Sequence, residues 1–243
     1  MPDRRFALIG AGRIALPVIE AWRAGELPGW QLEAVLTRQP RQIEGVRSTT
    51  DAAAFFSGVY ALIVDTAGPA AFALHACNAL ARADVWTVSA VALADPQLLA
   101  KVEETAQRTS HRLRLLHGAT AGLDGVAAAC VDPEAVLHLQ IDLPPGGGPP
   151  GVIFSGTVRE AARRFPNSVN VAVTLAFAGA GLDQTRVEVS HPDPAMPYRL
   201  ALRVTSRYGT CQVETFPKVG PGIHPVAASI IAALRNAQAP VWT

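Results

Sequence analysis

The sequence predicts an α/β protein that combines a doubly wound parallel sheet with a second, α+β domain. The first half alternates short apolar runs with helical segments, which is the rhythm of βαβ units. The second half contains strands in which polar and apolar residues alternate, a pattern typical of antiparallel sheets. The chain has 243 residues, 49% of them hydrophobic and 17% charged, which excludes disorder as the dominant state and fits one large or two small domains.

Apolar runs without alternation indicate strands that are buried on both faces, and the segments between them have helix signals. Gly25 and Pro28 end the first helix, Pro69 opens the second, and Asp95 caps the third. In chain order, the predicted elements are strand Arg5–Gly10, helix Ile14–Ala24, strand Leu32–Thr37, strand Tyr60–Asp65, helix Ala70–Arg82, strand Asp84–Ser89, helix Gln97–Gln107 and strand Arg112–Leu116.

The pattern changes near Gly118. The predicted elements after it are helix Ala121–Ala129, strand Val136–Leu143, strand Val152–Ser155, helix Arg159–Arg164, helix Val169–Ala178, strands Thr185–Ser190, Tyr198–Ser206 and Thr210–Phe216, and helix Pro225–Asn236. Short turns separate the last three strands, so we expect them to form an antiparallel meander. We expect a first domain of residues 1–118, completed by the C-terminal helix in 225–243, and a second domain of residues 119–224.

Composition excludes several classes of protein. The net charge is +1, whereas a nucleic-acid binder or a membrane-surface binder would carry a basic surplus. The apolar run after Arg5 is interrupted by Gly10, Gly12 and Arg13, so it is no signal peptide, and no window is long enough for a membrane span. Three widely spaced cysteines without a CxxC pair favour a reducing cytoplasm, and the histidine spacing predicts no metal site.

A glycine fingerprint of the form G-x-G-x-x-A lies directly between the first strand and the first helix. It consists of Gly10-Ala11-Gly12-Arg13-Ile14-Ala15. The first glycine permits a tight turn, the second lets the backbone approach a pyrophosphate, and the helix N-terminus adds amide donors. We therefore predict a Rossmann domain whose Gly10, Gly12, Arg13 and Ile14 bind a dinucleotide. The alternatives are a structural glycine turn and a methyltransferase-type nucleotide site.

The end of the second strand predicts which dinucleotide is preferred. An NAD site usually has a carboxylate there, but this chain has Thr37, Arg38 and Arg41. Because Arg38 can pair with a 2′-phosphate, we expect NADP to be preferred over NAD; the alternative is that these are solvated loop charges. After the next strand, Ala67 and Gly68 are expected to face the same cofactor.

Five stretches make the sequence similar to the L-aspartate dehydrogenase family. They are Gly10–Ala15, Val64–Pro69, Val88–Asp95, Gly118–Asp124 and Phe165–Ala172. The resemblance covers about residues 5–190 and implies a Rossmann domain joined to an α+β domain, a homodimer, and conversion of aspartate to iminoaspartate with NAD or NADP. It also implies that Ala119 and Asn170 contact the cofactor and that a small amino or oxo acid is the substrate.

The chain departs from the family pattern on the substrate side. It has Ser168-Val169-Asn170 where the family has an Asn-x-Asn pair, and no histidine follows Asp193-Pro194 where the family has its catalytic one. An Asn-Pro-x-Thr-Ser stretch before the last helix is also replaced. The nearest histidine, His191, is our candidate for the catalytic base. Two functions stay open: an NAD(P)-dependent oxidoreductase, and a dinucleotide-binding sensor or inactive paralogue without aspartate turnover.

Overall fold

The computed structural model describes residues 4–143, 148–193, 195–196, 198–218, 220, 222 and 224–241. The chain forms two compact units, one made of Met1–Gly118 with Gly220–Thr243 and the other of Ala119–Val219. Among the described residues, no helix combines the length and the apolar character that a membrane crossing requires.

The first unit opens with ten elements in a βαβ rhythm. They are β1 (Arg4–Ile9), α1 (Ala15–Arg23), β2 (Trp30–Leu36), β3 (Arg47–Thr49), α2 (Ala52–Phe56), β4 (Leu62–Asp65), α3 (Pro69–Leu80), β5 (Asp84–Thr87), α4 (Pro96–Thr109) and β6 (Leu113–Leu115). The rest of the chain forms α5 (Leu123–Ala129), β7 (Val136–Asp142), β8 (Gly151–Thr157), α6 (Val158–Arg164), α7 (Asn170–Ala178), β9 (Arg186–His191), β10 (Leu200–Ser206), β11 (Gly209–Thr215) and α8 (Pro225–Asn236).

A six-stranded parallel sheet organises the first unit, with strand order β3-β2-β1-β4-β5-β6. The order reverses between β1 and β4, and in such sheets ligands bind beyond the carboxyl ends of the strands at this reversal. Helices α1 and α8 cover one face, while α2, α3 and α4 cover the other. The predicted doubly wound parallel sheet is confirmed.

Strand β1 lies at the centre of this sheet and is buried on both faces. Phe6 and Leu8 belong to the hydrophobic cluster under α1 and α8, whereas Ala7 and Ile9 belong to the cluster under α3. All four are at most 3% exposed. Their burial explains why this strand lacks polar alternation, as expected from its sequence.

A five-stranded mixed sheet organises the second unit, with strand order β11-β10-β7-β9-β8. Leu137, Leu139 and Ile141 of β7 are buried, and α7 packs on β7 and on both α5 and α6. The intervening residues of β7 lie on the opposite face, which no helix of the described chain covers. The second, α+β domain is therefore confirmed as a fold.

The predicted meander is wrong in one respect. Strands β10 and β11 do form an antiparallel hairpin, but β9 does not pair with β10. It lies between β7, with which it is parallel, and β8, with which it is antiparallel. Alternation in β9 reports which face is buried but carries no information on which strand is its neighbour. Two short elements, β3 and α2, were not predicted because three and five residues are too few for a period.

Candidate dinucleotide-binding site

The turn after β1 makes a close backbone approach to the turn after β4. Gly10 has φ +101°, and a Cβ added to it would lie 3.0 Å from Thr66 Oγ1 and 3.1 Å from Ala67 Cα. The Thr66 hydroxyl donates to the Ile9 carbonyl at 2.9 Å, and the Gly10 amide donates to the Leu36 carbonyl at 2.8 Å. A glycine is therefore required at position 10 for both conformation and space.

The second glycine of the fingerprint faces open space. A Cβ added to Gly12 would meet nothing within 4 Å, and the residue is exposed. Helix α1 begins beside it with no side-chain cap and no acidic residue in its first turn, while Ala15 packs fully buried against the sheet. An exposed backbone, an uncapped helix N-terminus and free volume are what a dinucleotide pyrophosphate requires, so the residues present fit such a cofactor.

A buried carboxylate joins the turns that follow β4 and β5. Asp65, the last residue of β4, accepts hydrogen bonds from the Ser89 hydroxyl at 2.6 Å, the Thr87 hydroxyl at 2.8 Å and the Ala67 amide at 3.2 Å. The Ser89 amide in turn donates to Thr87 Oγ1 at 2.9 Å. Two neighbouring turns at the carboxyl edge of the sheet are thus held by one side chain.

Burial raises the pKa of Asp65 to about 6, although the hydrogen bonds from Ser89, Thr87 and Ala67 act in the opposite direction. The residue is fully buried, and removing a carboxylate from water penalises its charged form. Sequence reasoning assigned Asp65 no role beyond ending a strand. The available signal was an acidic residue that ends an apolar strand, together with hydroxyl residues at the end of the next strand.

Two of the three residues proposed to select the cofactor are exposed beyond the end of β2. Thr37 is buried and its amide donates to the Thr49 carbonyl, whereas Arg38 is exposed and forms no hydrogen bond or ion pair within the described chain. Arg41 donates from Nη1 to the Ala11 carbonyl at 2.5 Å. Arg41 is therefore hydrogen-bonded to the glycine fingerprint, a contact that the sequence alone did not predict.

Arg13, Ile14, Ala67 and Gly68 lie in the first unit with the glycine turn. Arg13 and Ala67 are exposed, Ile14 stands at the N-cap of α1, and Gly68, with φ +90°, stands at the N-cap of α3. The structure thus brings these predicted residues together at the carboxyl edge of the parallel sheet.

The other predicted site residues lie in the second unit. The Ala119 carbonyl accepts from the Thr215 hydroxyl at 3.1 Å, and Asn170 is the first residue of α7. His191 ends β9, where its Nδ1 is buried without a hydrogen-bond partner in the described chain. A Cβ on Gly148 would lie 3.2 Å from the His191 ring. Pro194, of the pair that precedes the missing histidine, falls outside the described residues.

Two arginines of the second unit, which as cations could bind a substrate carboxylate, are already paired. Arg159 forms a bidentate contact with Asp183 at 2.6 and 2.8 Å. Arg199 contacts Glu214 at 3.3 Å and the Gln140 side chain at 3.0 Å. A bidentate arginine has little donor capacity left for a substrate, so Arg159 is a weak candidate for this role.

Two family models match the chain and together span most of it. The model described as "Homoserine dehydrogenase, NAD binding domain" matches residues 10–116. The model described as "Aspartate dehydrogenase, C-terminal" matches residues 134–237.

Curated relatives extend the match over nearly the whole chain. L-aspartate dehydrogenase 2 of Bordetella pertussis is 35% identical over 96% of either chain. The L-aspartate dehydrogenase of Acinetobacter baumannii is 32% identical over 72% of this chain and 74% of the relative. The chain belongs to the L-aspartate dehydrogenase family. This membership confirms the predicted resemblance and the predicted NAD(P)-dependent, amino-acid dehydrogenase-like class.

Solved structures support the fold of this L-aspartate dehydrogenase family member. The aspartate dehydrogenase of Thermotoga maritima aligns with a TM-score of 0.79 at 22% identity, covering 99% of both chains. An engineered D-amino acid dehydrogenase bound to NADP⁺ aligns with a TM-score of 0.57 at 18% identity, covering 97% of this chain and 89% of that chain.

The raised pKa of Asp65 predicts a specific pH dependence of stability. An acid with a folded-state pKa near 6 and an ordinary value of 3.8 takes up a proton on folding between these values. The free energy of unfolding of the parent protein, relative to Asp65→Asn, should therefore rise by about 1 kcal/mol as the pH falls from about 7 to about 5. Chemical denaturation at each pH measures this difference.

Asp51→Asn, which alters an exposed carboxylate at the N-cap of α2, is the matched control for this comparison. If the difference between the parent and Asp65→Asn stays constant across this pH range, Asp65 does not titrate there and the interpretation of its burial is wrong.

Proposed function

We propose that this chain oxidises L-aspartate, or a similar small amino acid, to the corresponding imino acid with NAD(P). The observation that carries the proposal is the dinucleotide turn, in which Gly10 is sterically required and Gly12 faces open space at the reversal of the strand order. The relatives in Bordetella pertussis and Acinetobacter baumannii are named L-aspartate dehydrogenases, and the proposal extends their named activity to this chain.

The reaction requires a hydride acceptor and a proton acceptor. The Cα–H bond of the amino acid breaks with its electron pair, the amine nitrogen loses a proton, and a C=N bond forms. The nicotinamide supplies the hydride acceptor when it is bound. The protein has to hold the dinucleotide, orient the amino acid and accept the proton. Water then hydrolyses the imino acid to the oxo acid and ammonia.

Residues of the first unit account for dinucleotide binding in this proposal. Gly10 and Gly12 let the backbone approach the pyrophosphate, and the amides of the first turn of α1 donate to it. Asp65 fixes the turn that contains Ala67 and Gly68, because its carboxylate accepts the Ala67 amide. We also assign cofactor contacts to Ala119 and Asn170, which rest on the family resemblance.

His191 is our candidate for the proton acceptor. It lies two residues before Asp193 and is the nearest histidine to the position where the family pattern has its own. Because Nδ1 is closed off from solvent, proton exchange would take place at Nε2. A side chain at residue 148 would be in tight contact with the ring, because a Cβ there would lie 3.2 Å from it.

A second candidate function is dinucleotide binding without amino-acid turnover. The observation that favours it is the sequence after Asp193, where Ala195 and Met196 occupy a turn and no histidine stands at the place where the family has its catalytic one. A sensor or an inactive paralogue would keep the dinucleotide-binding residues of the first unit and lack a proton acceptor in the second.

We propose that NADP is preferred over NAD. Arg38 is exposed and unpaired within the described chain, and Arg41 is held on the fingerprint by the Ala11 carbonyl. No carboxylate ends β2, so nothing there favours the two ribose hydroxyls of NAD or repels a 2′-phosphate. Both guanidinium groups can form charge-assisted hydrogen bonds with that phosphate.

We propose a cytoplasmic homodimer that associates through the open face of the second sheet. Val136 and Val152 are 64% and 60% exposed, and both alternate with inward-facing residues of their strands. Exposed valines on a sheet face without helices favour association with a second copy. The cytoplasmic assignment rests on three free cysteines, which fit a reducing compartment.

Aspartate turnover is the central prediction. The purified chain should reduce NADP in the presence of L-aspartate at alkaline pH and release ammonia in equal amount. If His191 accepts the proton, His191→Ala should lower kcat by about 10²–10⁴ and leave the Kd of NADPH unchanged. Steady-state kinetics and fluorescence titration of NADPH measure the two quantities.

His138→Ala, on β7 of the same sheet, is the control for a general effect of losing an imidazole. Full activity of His191→Ala would remove His191 from the mechanism. Absence of turnover with any amino or hydroxy acid, combined with tight NADPH binding, would favour the dinucleotide-binding function instead.

Arg38→Ala should weaken NADPH binding by about 1.5–3 kcal/mol, because a charge-assisted pair with the 2′-phosphate is lost. NADH binding should not change, since NADH lacks that phosphate. Arg41→Ala should weaken both cofactors, because it also releases the Ala11 carbonyl. Titration of each variant with both cofactors gives the four affinities, and equal losses for Arg38→Ala would show that Arg38 does not contact the phosphate.

Light scattering should give twice the mass of one chain at micromolar concentration. Val136→Asp should shift the equilibrium towards monomer, because it would place a carboxylate in an apolar contact. Val59→Asp is the matched control, since Val59 is 80% exposed in the first unit. A monomeric parent protein would refute the dimer.

A further inference from the structure

Helix α8 runs parallel to α1, with both N-termini at the cofactor edge of the sheet. The two helices share one hydrophobic cluster. At their C-terminal ends, Arg235 donates to the Glu26 carboxylate at 2.6 Å and to the Glu26 carbonyl at 2.9 Å, just beyond α1. At their N-terminal ends, Arg13 precedes α1 and acts electrostatically on His224, which precedes α8. Ile14 of the fingerprint and Val226 of the first turn of α8 pack against the same hydrophobic cluster, so the start of α8 lies next to the end of the glycine fingerprint.

His224 occupies the N-cap of α8 without capping it. Its side chain accepts no hydrogen bond from the helix, and its Nδ1 is buried without a partner in the described part of the chain. Burial lowers the pKa of His224, and the positive charge of Arg13 lowers it further. The other ring nitrogen, Nε2, is not closed off in this way and can donate to a ligand at this position.

The surroundings of His224 are electropositive, and among the described residues no carboxylate acts on its pKa. Neither α1 nor α8 has an acidic residue in its first turn. Arg13 forms no salt bridge or hydrogen bond with any described residue. The next charged groups along α1, Glu20 and Arg23, lie about two and about three turns beyond Arg13. An arginine, an imidazole and two neighbouring helix N-termini form a site for an anion.

We propose that His224, together with Arg13, binds the pyrophosphate of the dinucleotide. This inference rests on the proposed function, because it assumes that the fingerprint next to it holds a dinucleotide. It gives a role to the start of the last helix, where the chain departs from the family pattern. The contact is to the phosphate bridge that NAD and NADP share, so it adds affinity without selecting between them.

A phosphate beside His224 would link cofactor binding to proton uptake. In the free protein, burial and Arg13 both favour the neutral imidazole. A bound phosphate favours the imidazolium and so raises the pKa of His224. Between the free and the bound pKa, cofactor binding takes up a proton, and affinity falls as the pH rises through this window. A pKa difference of about one unit corresponds to about a tenfold change in Kd.

The test is titration of the purified protein with NADH from about pH 5.5 to about pH 8.5, the range in which an imidazole titrates. NADH is chosen because it lacks the 2′-phosphate, which titrates in the same range. The Kd of the parent protein should rise about tenfold across the series. His224→Gln keeps a donor but cannot be charged, so it should match the parent at high pH, bind about tenfold more weakly at low pH, and lose the pH dependence.

Arg235→Gln is the matched control, because it removes a charge from the other end of α8 and should leave the profile unchanged. Thermal unfolding identifies variants that fail to fold; in that case Arg13→Gln is the second test, and it should move the midpoint of the profile to higher pH. A pH-independent Kd for the parent, or equal profiles for parent and His224→Gln, would overturn the proposal.

Two further outcomes separate the inference from the proposed function. If the parent binds neither NADH nor NADPH, the proposed function fails and the inference fails with it. If His224→Gln raises KM for aspartate and leaves the NADH Kd unchanged at every pH, the anion at His224 is a substrate carboxylate and only the inference is wrong.

Discussion

The close approach of two turns at Gly10 determines the geometry of the cofactor edge. Strands β1 and β4 lie side by side where the strand order reverses, and the turns that follow them leave no space for a Cβ. Because the Thr66 hydroxyl donates to the Ile9 carbonyl, the two strand ends are also held by a buried hydrogen bond. Any side chain at position 10 would push the turns apart and displace the start of α1, from which the pyrophosphate donors come.

Asp65 strengthens this edge at an energetic cost. A fully buried carboxylate with a pKa near 6 is mostly charged at neutral pH, so its burial opposes folding there. In return, its three donors fix the turns after β4 and β5 relative to each other. An apolar residue at this position would avoid the free-energy cost of burying a charge, but it could not orient the Ala67 amide. We interpret Asp65 as a residue that lowers the stability of the fold and fixes the geometry of the two turns at the site.

Sequence patterns predict those parts of the protein that depend on local chemistry. The β1 run, the Pro69 and Asp95 helix starts and the glycine fingerprint are each set by neighbours within a few residues, and the structure has them as expected. The position of β9 between β7 and β8 depends on residues nearly fifty positions away, and alternation does not encode it. The Asp65 network and the Arg41–Ala11 contact are likewise long-range, so no local pattern predicts them.

Departures from the family pattern have different consequences in the two units of the chain. Ser168 and the region after Asp193, where family residues are missing, lie in a unit with its own sheet and core. Changes there leave the Gly10 turn and the Asp65 network intact, because neither draws on residues of the second unit. The start of α8 is different, since it belongs to the first unit and packs in the same hydrophobic cluster as the end of the fingerprint. A substitution there lies at the dinucleotide edge itself, which is why the role that we propose for His224 is in cofactor binding rather than in amino-acid chemistry.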